Sequence, residues 1–517
     1  MMRLKNYMIL IVLLASKTAF SQSLGTISGH VYGEDGQPEE GVHIFLTQTS
    51  YGTSSLSDGS FSLKGIPSGQ YNVAASKVGF QEQRSTLVVA PGENAVMSIT
   101  LVASTYHLDE VAVFGQKRET VHALRLLVPL EQTPLSLNIV QNQTLAQQQA
   151  ISLEDALKNV SAVSKFGSYG LSDNINIRGF DIGLAGGPEN YRVNGIMLRT
   201  PYSDYVEQVQ VLKGPASILY GDVEPGGIIN YVTKKPLGYN HARLELKVGE
   251  YGLLRPSLDI GGALSGNLSY RLNALYQESQ SFRDKVFGNQ YMIAPSVLWN
   301  ISDQTNINFD ALLMSNEVTI DWGMPLGLPL SMAKELDDSN FYGYPDGTSK
   351  GTNSMVMATV SHRFNTNWQV RNVTSFSNQK RLLHDVYPVY NAADNIVDYS
   401  WGDYKERSRT NTFSNTLDIN GDLDLAGMHH RLQAGLDFSY IGRPVAYNFV
   451  FPIETTTSLG SPEWENTALS SAPQLDDDIL PFTSRWGVNV QDLISLYDDK
   501  LNILLGGRFS SFTTGEK

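Results

Sequence analysis

The sequence predicts a mainly β protein whose larger part is a transmembrane antiparallel β-barrel, and three observations carry that prediction. Segments of about ten residues alternate apolar and polar, the length and pattern that a lipid-facing barrel strand requires. The links between them alternate short and long down the chain, as turns on one side of a membrane and loops on the other would. No later stretch is an apolar run of the ~18 residues that a membrane helix needs.

Composition narrows the rest. The chain has 517 residues, too many for one ordinary domain, with 17% charged and 41% hydrophobic residues. A formal charge of −14 argues against a nucleic-acid partner, which needs a basic footprint. The absence of cysteine excludes disulfides, thiolate metal sites and cysteine nucleophiles. The 45 glycines, 25 tyrosines and 20 phenylalanines favour strands joined by tight corners.

The elements follow in order. Arg3 and Lys5 precede a short apolar core, Tyr7 to Ala15, and Ala19-Phe20-Ser21 places small residues where a signal peptidase reads. Residues 1–21 are expected to be a cleaved signal peptide, since the apolar core is too short for a membrane anchor. Residues 22–103 read as a β-sandwich. Val42, Ile44 and Leu46, then Phe61 and Leu63, then Tyr71, Val73 and Ala75 alternate between turn signals such as Asp58-Gly59 and Pro67-Ser68-Gly69. The pattern Gly29-x-Val31, Gly36-x-Pro38-x-x-Gly41-Val42 and Asp58-Gly59-x-Phe61 resembles the carboxypeptidase regulatory-like domain, which implies a sandwich without chemistry of its own.

Residues 104–120 form a linker with a β-prone run, Asp109-Glu110-Val111-Ala112-Val113-Phe114-Gly115. An isolated extended segment is suited to pairing with another protein's strand edge. His107-x-x-Glu110 has a zinc-like spacing, but no third ligand or surrounding α/β domain accompanies it. In residues 121–236, Leu153, Ala156, Leu157 and Val160 share a helical face, with Ser152 and Asp155 as a capping box. Short strands with glycine corners follow: Ile175 to Phe180, Tyr191 to Gly195, Val206 to Leu212. The block closes with Lys213-Gly214-Pro215-Ala216-Ser217-Ile218-Leu219-Tyr220-Gly221 and Glu224-Pro225-Gly226-Gly227-Ile228-Ile229-Asn230.

These residues resemble the plug domain of TonB-dependent outer-membrane receptors, in particular the ferric-siderophore branch. The motif positions are Arg178, Gly179, Phe180, Asn194, Gly195, Lys213, Gly214, Pro215, Tyr220, Gly221, Pro225, Gly226, Gly227 and Asn230. Asn194 stands where the family usually has Asp, and Lys213 where it usually has Arg. The resemblance makes residues 121–236 a mixed α/β plug, and Asp109 to Gly115 a TonB box.

Residues 237–517 are expected to hold the N-terminal half of the barrel. Leu268, Tyr270, Leu272, Ala274 and Tyr276 oppose Ser269, Arg271 and Asn273; Ile307, Phe309, Ala311 and Leu313 oppose Asn306, Asn308 and Asp310. Leu432, Ala434, Leu436, Phe438 and Tyr440 oppose Arg431, Gln433, Asp437 and Ser439. Short turns are expected near 263–267, 300–304, 365–366, 421–428 and 498–499. Longer links are expected near 278–289, 315–352, 378–406 and 441–484. Trp299, Trp368, Phe376 and Trp486 are expected in interfacial girdles near strand ends. About eleven strands fit, against about 22 in plugged transporters, so the chain reads as truncated, with about half of the barrel present.

No nucleophile–base arrangement supports an enzyme, and His429-His430 are expected to be solvated. The resemblance implies import of a ferric siderophore across the outer membrane. TonB, energised by ExbB–ExbD, would pull on the plug from the periplasm, and outer-membrane lipid would surround the barrel. Iron would arrive already chelated, so no cofactor or protein metal ligand is expected. Tyr169, Tyr202, Tyr390 and Trp401 are the candidate ligand contacts, since aromatic side chains suit chelates with apolar frames. Haem, cobalamin or an oligosaccharide as cargo stays open, as does a surface adhesin without transport.

Overall fold

The computed structural model describes residues 24–103, 125–126, 132 and 134–516, less short internal stretches of which 464–479, 183–189, 198–203 and 451–455 are the longest. Residues 1–21, the segment Asp109 to Gly115 and the His107-x-x-Glu110 spacing lie outside the described residues, as do Ser152, Tyr169, Tyr202, Pro215 and Trp401. The chain divides into two compact units, Met1–Gln116 and Lys117–Lys517.

The first unit is a sandwich. One sheet orders Ser60–Ile66, Gly25–Tyr32 and Asn94–Thr100; the other orders Gly52–Ser54, His43–Leu46, Gly69–Ser76 and Gln83–Val89. Their facing side chains, Ile27, Val31, Val42, Ile44, Leu46, Phe61, Leu63 and Val73 among them, form one buried cluster. The alternation read from the sequence is thus the inward face of this sandwich. Gly29 is required where two strands close in: a Cβ there would stand 1.8 Å from the Met97 carbonyl oxygen.

The second unit holds a small inner domain and a large sheet. The inner domain has a five-stranded sheet ordered Ser136–Gln141, Val206–Lys213, Gly227–Thr233, Tyr191–Val193 and Ile196–Met197, and a three-stranded one, Val163–Ser168, Asp173–Ile177 and Phe180–Asp181. The predicted helix is short, Leu153–Leu157, and the Asp155 carboxylate accepts from the Ile151 amide at 3.1 Å.

The large sheet is antiparallel with twelve strands. Its continuous path runs His241–Val248, Leu254–Ser265, Leu268–Gln280, Phe287–Asn300, Thr305–Thr319, Thr348–Arg363, Trp368–Val386, Asp403–Leu425, Met428–Gly442, Pro481–Leu496 and Leu501–Glu516. Val445–Val450 pairs off this path with Asp403–Leu425. The eleven strands expected are the continuous path.

Burial in this sheet is inverted relative to a soluble sandwich. Ser269, Arg271, Asn273, Asn308 and Asp310 are buried, whereas Phe309 and Leu313 are 50% and 55% exposed. The polar face turns towards the inner domain and the apolar face turns away, as a barrel with a filled lumen demands. One departure from polar-inward is an apolar patch: Leu275, Met292, Met314, Met355 and Met357 face inward and are buried against the inner domain's core.

Most strands of the sheet are longer, and the long links shorter, than the sequence predicts. Leu254–Ser265 has 12 residues and Asp403–Leu425 has 23, against an expected length of about ten. The link expected at 378–406 shrinks because Trp368–Val386 and Asp403–Leu425 stay paired to Val386↔Asp403. The turn expected at 421–428 shrinks because pairing continues to Leu425↔Met428. Strand ends that leave the lipid band lose their apolar face, so their alternation disappears while their hydrogen-bonded ladder continues. Phe376 does not lie at a strand end; it faces outward within Trp368–Val386, across from Phe413.

Candidate functional site

The inner domain's motif residues build two tight hairpins and the contact between them. Arg178 and Gly179 have φ of 54° and 86°, and Asn194 and Gly195 have φ of 52° and 90°. Each pair joins residues that pair directly, Ile177↔Phe180 and Val193↔Ile196. Two successive positive φ values define the type I′ turn, whose twist matches that of the flanking strands. Asn194 further donates to Thr233 Oγ1 at 2.9 Å and accepts from the Thr233 amide at 3.1 Å. Asn230, fully buried, accepts from the Gly195 amide at 2.9 Å and donates to Gln210 at 3.1 Å.

The remaining motif glycines mark close approaches. A Cβ on Gly226 would stand 2.4 Å from the Ile177 carbonyl oxygen, and one on Gly227 would stand 2.2 Å from that of Leu212. A Cβ on Gly214 would meet the Arg178 guanidinium at 2.7 Å, while the Gly214 amide donates to the Gly226 carbonyl at 3.0 Å. Lys213 Nζ donates to the Ser161 carbonyl and hydroxyl, both at 2.9 Å. Burial, with Arg178 nearby, pushes its ammonium below the usual lysine range. The Arg192 guanidinium lies 5.0 Å from the Tyr220 ring centroid. Pro225 is exposed. These residues are a chassis that holds the inner domain's shape.

The boundary between inner domain and sheet is ionic. Arg125 meets Asp418 at 2.7 Å and Asp437 at 3.0 Å. Arg508 reaches Asp437 at 2.7 Å from the far side and donates to the Leu219 carbonyl at 3.2 Å. Lys234 and Arg271 share Asp259 at 3.0 and 2.8 Å, Lys235 meets Asp310 at 2.9 Å, and Arg255 pairs with Asp204. Arg371 donates to the Asn194 carbonyl at 3.3 Å. A cleft at this boundary is lined by Arg125, Arg192, Tyr220, Ser414, Asp437 and Arg508. Ion pairs of this kind fix position and register while adding little net stability, because desolvation offsets most of their Coulomb attraction. The arrangement can hold a domain in one orientation and still let it be displaced as a unit.

Sequence reasoning missed Arg125, Asp418, Asp437 and Arg508. A signal was present: Asp418, Asp437, Gly435 and Gly487 all fall on the inward register of their strands. Glycines there leave room for arginine, since a Cβ on Gly487 would stand 2.0 Å from Arg508 Nη2.

On the opposite side, three loops share a core. Tyr342, Tyr344, Val386, Val397, Tyr399 and Leu459 are buried together, with Met332 and Tyr390 packed against them. Val389–Asn391, Ile396–Asp398 and Thr456–Ser458 form a small sheet that joins two of these loops. The Tyr342 hydroxyl donates to the Leu459 carbonyl at 2.6 Å, and that of Tyr399 to the Tyr342 carbonyl at 2.7 Å. The candidate contact Tyr390 is half-buried there, its hydroxyl bonded to Asn395 at 3.0 Å.

Of the two histidines expected to be solvated, His429 stays partly exposed beside an exposed aspartate, whereas His430 is largely buried. His429 Nδ1 lies 2.8 Å from Asp424 and His430 Nδ1 lies 2.9 Å from Asp492, with only 12% of the His430 side chain exposed. A polar strand end gives each imidazole a carboxylate within reach. Among the described residues no group of three or more His, Cys, Asp or Glu is placed to hold a metal ion.

Comparison with known families fits this architecture. Residues 26–102 match the carboxypeptidase regulatory-like domain, residues 129–228 the TonB-dependent receptor plug domain, and residues 298–516 the TonB-dependent receptor-like β-barrel. The metal-pseudopaline receptor CntO of Pseudomonas aeruginosa is 31% identical over 360 residues, which is 68% of this chain and 49% of that protein. The ferrichrome outer membrane transporter/phage receptor of Escherichia coli is 26% identical over 428 residues, 76% of this chain and 57% of that one. The chain spans about half the length of the curated relatives it matches. In fold it resembles the ferric-catecholate import receptor Fiu of E. coli in its open form (TM-score 0.66, 22% identity, 75% of this chain and 61% of that one). It also resembles BauA, the ferric preacinetobactin receptor of Acinetobacter baumannii (TM-score 0.69, 16% identity, 76% of this chain and 60% of that one). The chain therefore belongs to the TonB-dependent receptors, with a carboxypeptidase regulatory-like domain ahead of a plug seated on the inner face of barrel strands.

Proposed function

We propose that this protein imports a ferric siderophore across the outer membrane, driven by TonB. The observation that carries the reading is the plug seat itself: a folded domain held to the polar inner face of a membrane sheet by Arg125, Lys234 and Lys235 against Asp418, Asp437, Asp259 and Asp310. An adhesin has no use for a displaceable domain inside its barrel. Relatives named as receptors for metal-pseudopaline, ferrichrome and catecholate siderophores support a metal chelate as cargo.

In this reading residues 1–21 direct export, and Asp109 to Gly115 add as a strand to TonB, which ExbB–ExbD energise. An outer membrane has neither ATP nor its own ion gradient, so the energy must arrive through a mechanical contact. The chain performs no catalysis and needs no resident cofactor, because iron arrives chelated. Tyr169, Tyr202, Tyr390 and Trp401 remain candidate contacts for the cargo.

The test uses the full-length protein in detergent, with tryptophan fluorescence followed against ferric hydroxamate, ferric catecholate, ferric citrate, haem, cobalamin and a maltooligosaccharide. Saturable quenching at nanomolar concentration by one iron chelate, and not by its iron-free form, is expected. Saturation only by haem, cobalamin or sugar would replace the cargo. No saturation by any of them would count against the importer.

A further inference from the structure

Residues paired directly across antiparallel strands point to the same side of a sheet, so the ladders of the large sheet define its inner wall row by row. One inward row runs Leu275, Met292, Met314, Asn353, Gln379 and Thr410, each opposite the next on six successive strands. Two residues nearer the long links, a second row runs Gln277, Gln290, Asn316, Gly351, Arg381 and Ser408. The cover given by the plug ends between them. Met292 and Met314 are buried in the plug's core, whereas Gln277, Gln290, Asn316 and Arg381 are half-buried. The second row therefore walls the space above the plug, on the side of the long links. At the usual spacing between strands the strip is about 24 Å wide.

The chemistry of this strip is neutral and rich in amides. Gln290 Nε2 donates to Gln277 Oε1 at 3.0 Å, which leaves the Gln277 amino group and the Gln290 carbonyl for other partners. Gly351 makes room for its neighbour, since a Cβ there would stand 2.5 Å from Asn316 Oδ1. Among the described residues no hydrogen bond occupies the side chains of Asn316, Gln379 or Thr410. Asn353 is 6% exposed, and its Oδ1 has no partner among the described residues. A buried acceptor of that kind is costly unless a donor arrives. The two rows and the one above them carry one cation, Arg381, one carboxylate, Glu406, and no aromatic ring. Farther out, the links 320–347, 387–402 and 443–480 hold thirteen acidic and two basic residues.

We propose that this strip selects a neutral chelate of the tris-hydroxamate class as cargo, with Asn316, Asn353 and Gln379 as its specificity-determining contacts. Charge decides between the chelates. Three hydroxamates lose a proton each and cancel the charge of ferric iron, whereas three catecholates lose two each and leave a trianion. A trianion taken out of water needs several charge-assisted partners, and the strip offers one arginine beneath an acidic rim. A neutral tris-hydroxamate on a peptide frame presents carbonyl oxygens and amide N–H groups. Asn and Gln side chains, each both donor and acceptor, match the two. A porphyrin or a sugar ring would stack on aromatic side chains, which the strip lacks. The proposal rests on the import reading.

The experiment titrates the full-length protein in detergent, by calorimetry, with a neutral ferric tris-hydroxamate peptide, a trianionic ferric tris-catecholate and ferric citrate. The parent is expected to bind the neutral chelate at least tenfold more tightly than either anion. N316L/Q379L, which removes the amides at similar size, should lose at least tenfold for the neutral chelate. N316K/Q379K should gain at least tenfold for the trianion, a change that misfolding cannot produce. K380Q, one residue away on the outward face, should bind as the parent does. Parent preference for an anion, equal affinity for the neutral and trianionic chelates, or an equal loss in K380Q would overturn the proposal. So would parent-like binding by N316L/Q379L, and each of these results leaves import of an iron chelate standing. Binding of none of the three chelates would sink the siderophore reading together with the proposal.

Discussion

Arg125 occupies the space that a side chain on Gly435 would fill: a Cβ built on Gly435 would stand 2.7 Å from Arg125 Nη2. The guanidinium is held there by Asp418 and Asp437, with only 6% of the Arg125 side chain exposed. The plug is thus positioned by a glycine on one strand and by carboxylates on that strand and its neighbour.

Arg125→Ala would leave Asp418 buried without its cation, a loss of about 3–5 kcal/mol for a broken buried pair. Gly435→Ala, which crowds the same guanidinium, should cost about 1–3 kcal/mol. Both should loosen the plug and spare the sheet. Hydrogen exchange on the full-length protein checks this: protection should fall in Ser136–Gln141 and Val206–Lys213 and persist in Thr305–Thr319.

The Asn194-Gly195 turn should resist substitution for backbone reasons. Gly195→Ala places a Cβ at a φ of 90°, costing about 1–2 kcal/mol, although nothing stands within 4 Å of that Cβ. Asn194→Asp keeps the acceptor for the Thr233 amide but loses the donor to Thr233 Oγ1. Thermal unfolding should show a drop for both, larger for Gly195→Val than for Gly195→Ala.

The loop core predicts coupled behaviour of the long links. Tyr342→Phe removes the bond to the Leu459 carbonyl and leaves that buried acceptor unpaired, about 1–3 kcal/mol. Limited proteolysis should then cut the links at 320–347 and 443–480 faster together. Faster cutting of one link alone would show that they do not share a core.

The lipid-facing assignment makes a depth prediction. Phe309→Arg, mid-strand on the outward face, should cost about 2–4 kcal/mol in a bilayer, and Leu425→Arg, at a strand end, about 0–1 kcal/mol. Folding titrations of the full-length protein into vesicles measure the difference. Equal costs would contradict the outward assignment.

Much of this molecule was legible because its patterns are local. Period-two alternation at Leu268 to Tyr276 and at Ile307 to Leu313 needs only neighbours in the chain, and it located strands and faces. The glycine corners at Arg178-Gly179 and Asn194-Gly195 were visible because a type I′ turn has so few solutions. The strand ends were not legible: Gln379 to Asp385 breaks the alternation with adjacent Leu382 and Leu383, and Asp403 to Ser408 is almost wholly polar, so nothing in the sequence separates a ladder from a loop. The plug seat was missed for a different reason. Arg125 meets Asp418 and Asp437 across about three hundred residues, and only the sheet register shows that these carboxylates share a face with Gly435. Tyr390 illustrates the reverse: an aromatic-rich loop reads equally as a ligand platform or as a loop core, and here Tyr390 packs against the buried cluster of the loops while its hydroxyl donates to the Met332 sulfur at 3.5 Å.

Import on this reading requires a mechanically displaced plug that admits an iron chelate. The most direct measurement is uptake of radioiron, as the chelate that binds most tightly, by cells expressing the full-length protein. Cells lacking TonB and cells carrying a deletion of Asp109 to Gly115 are run in parallel. The prediction is that uptake falls to background in both while surface binding of the chelate is unchanged. Uptake that persists without TonB, or without that segment, would contradict it.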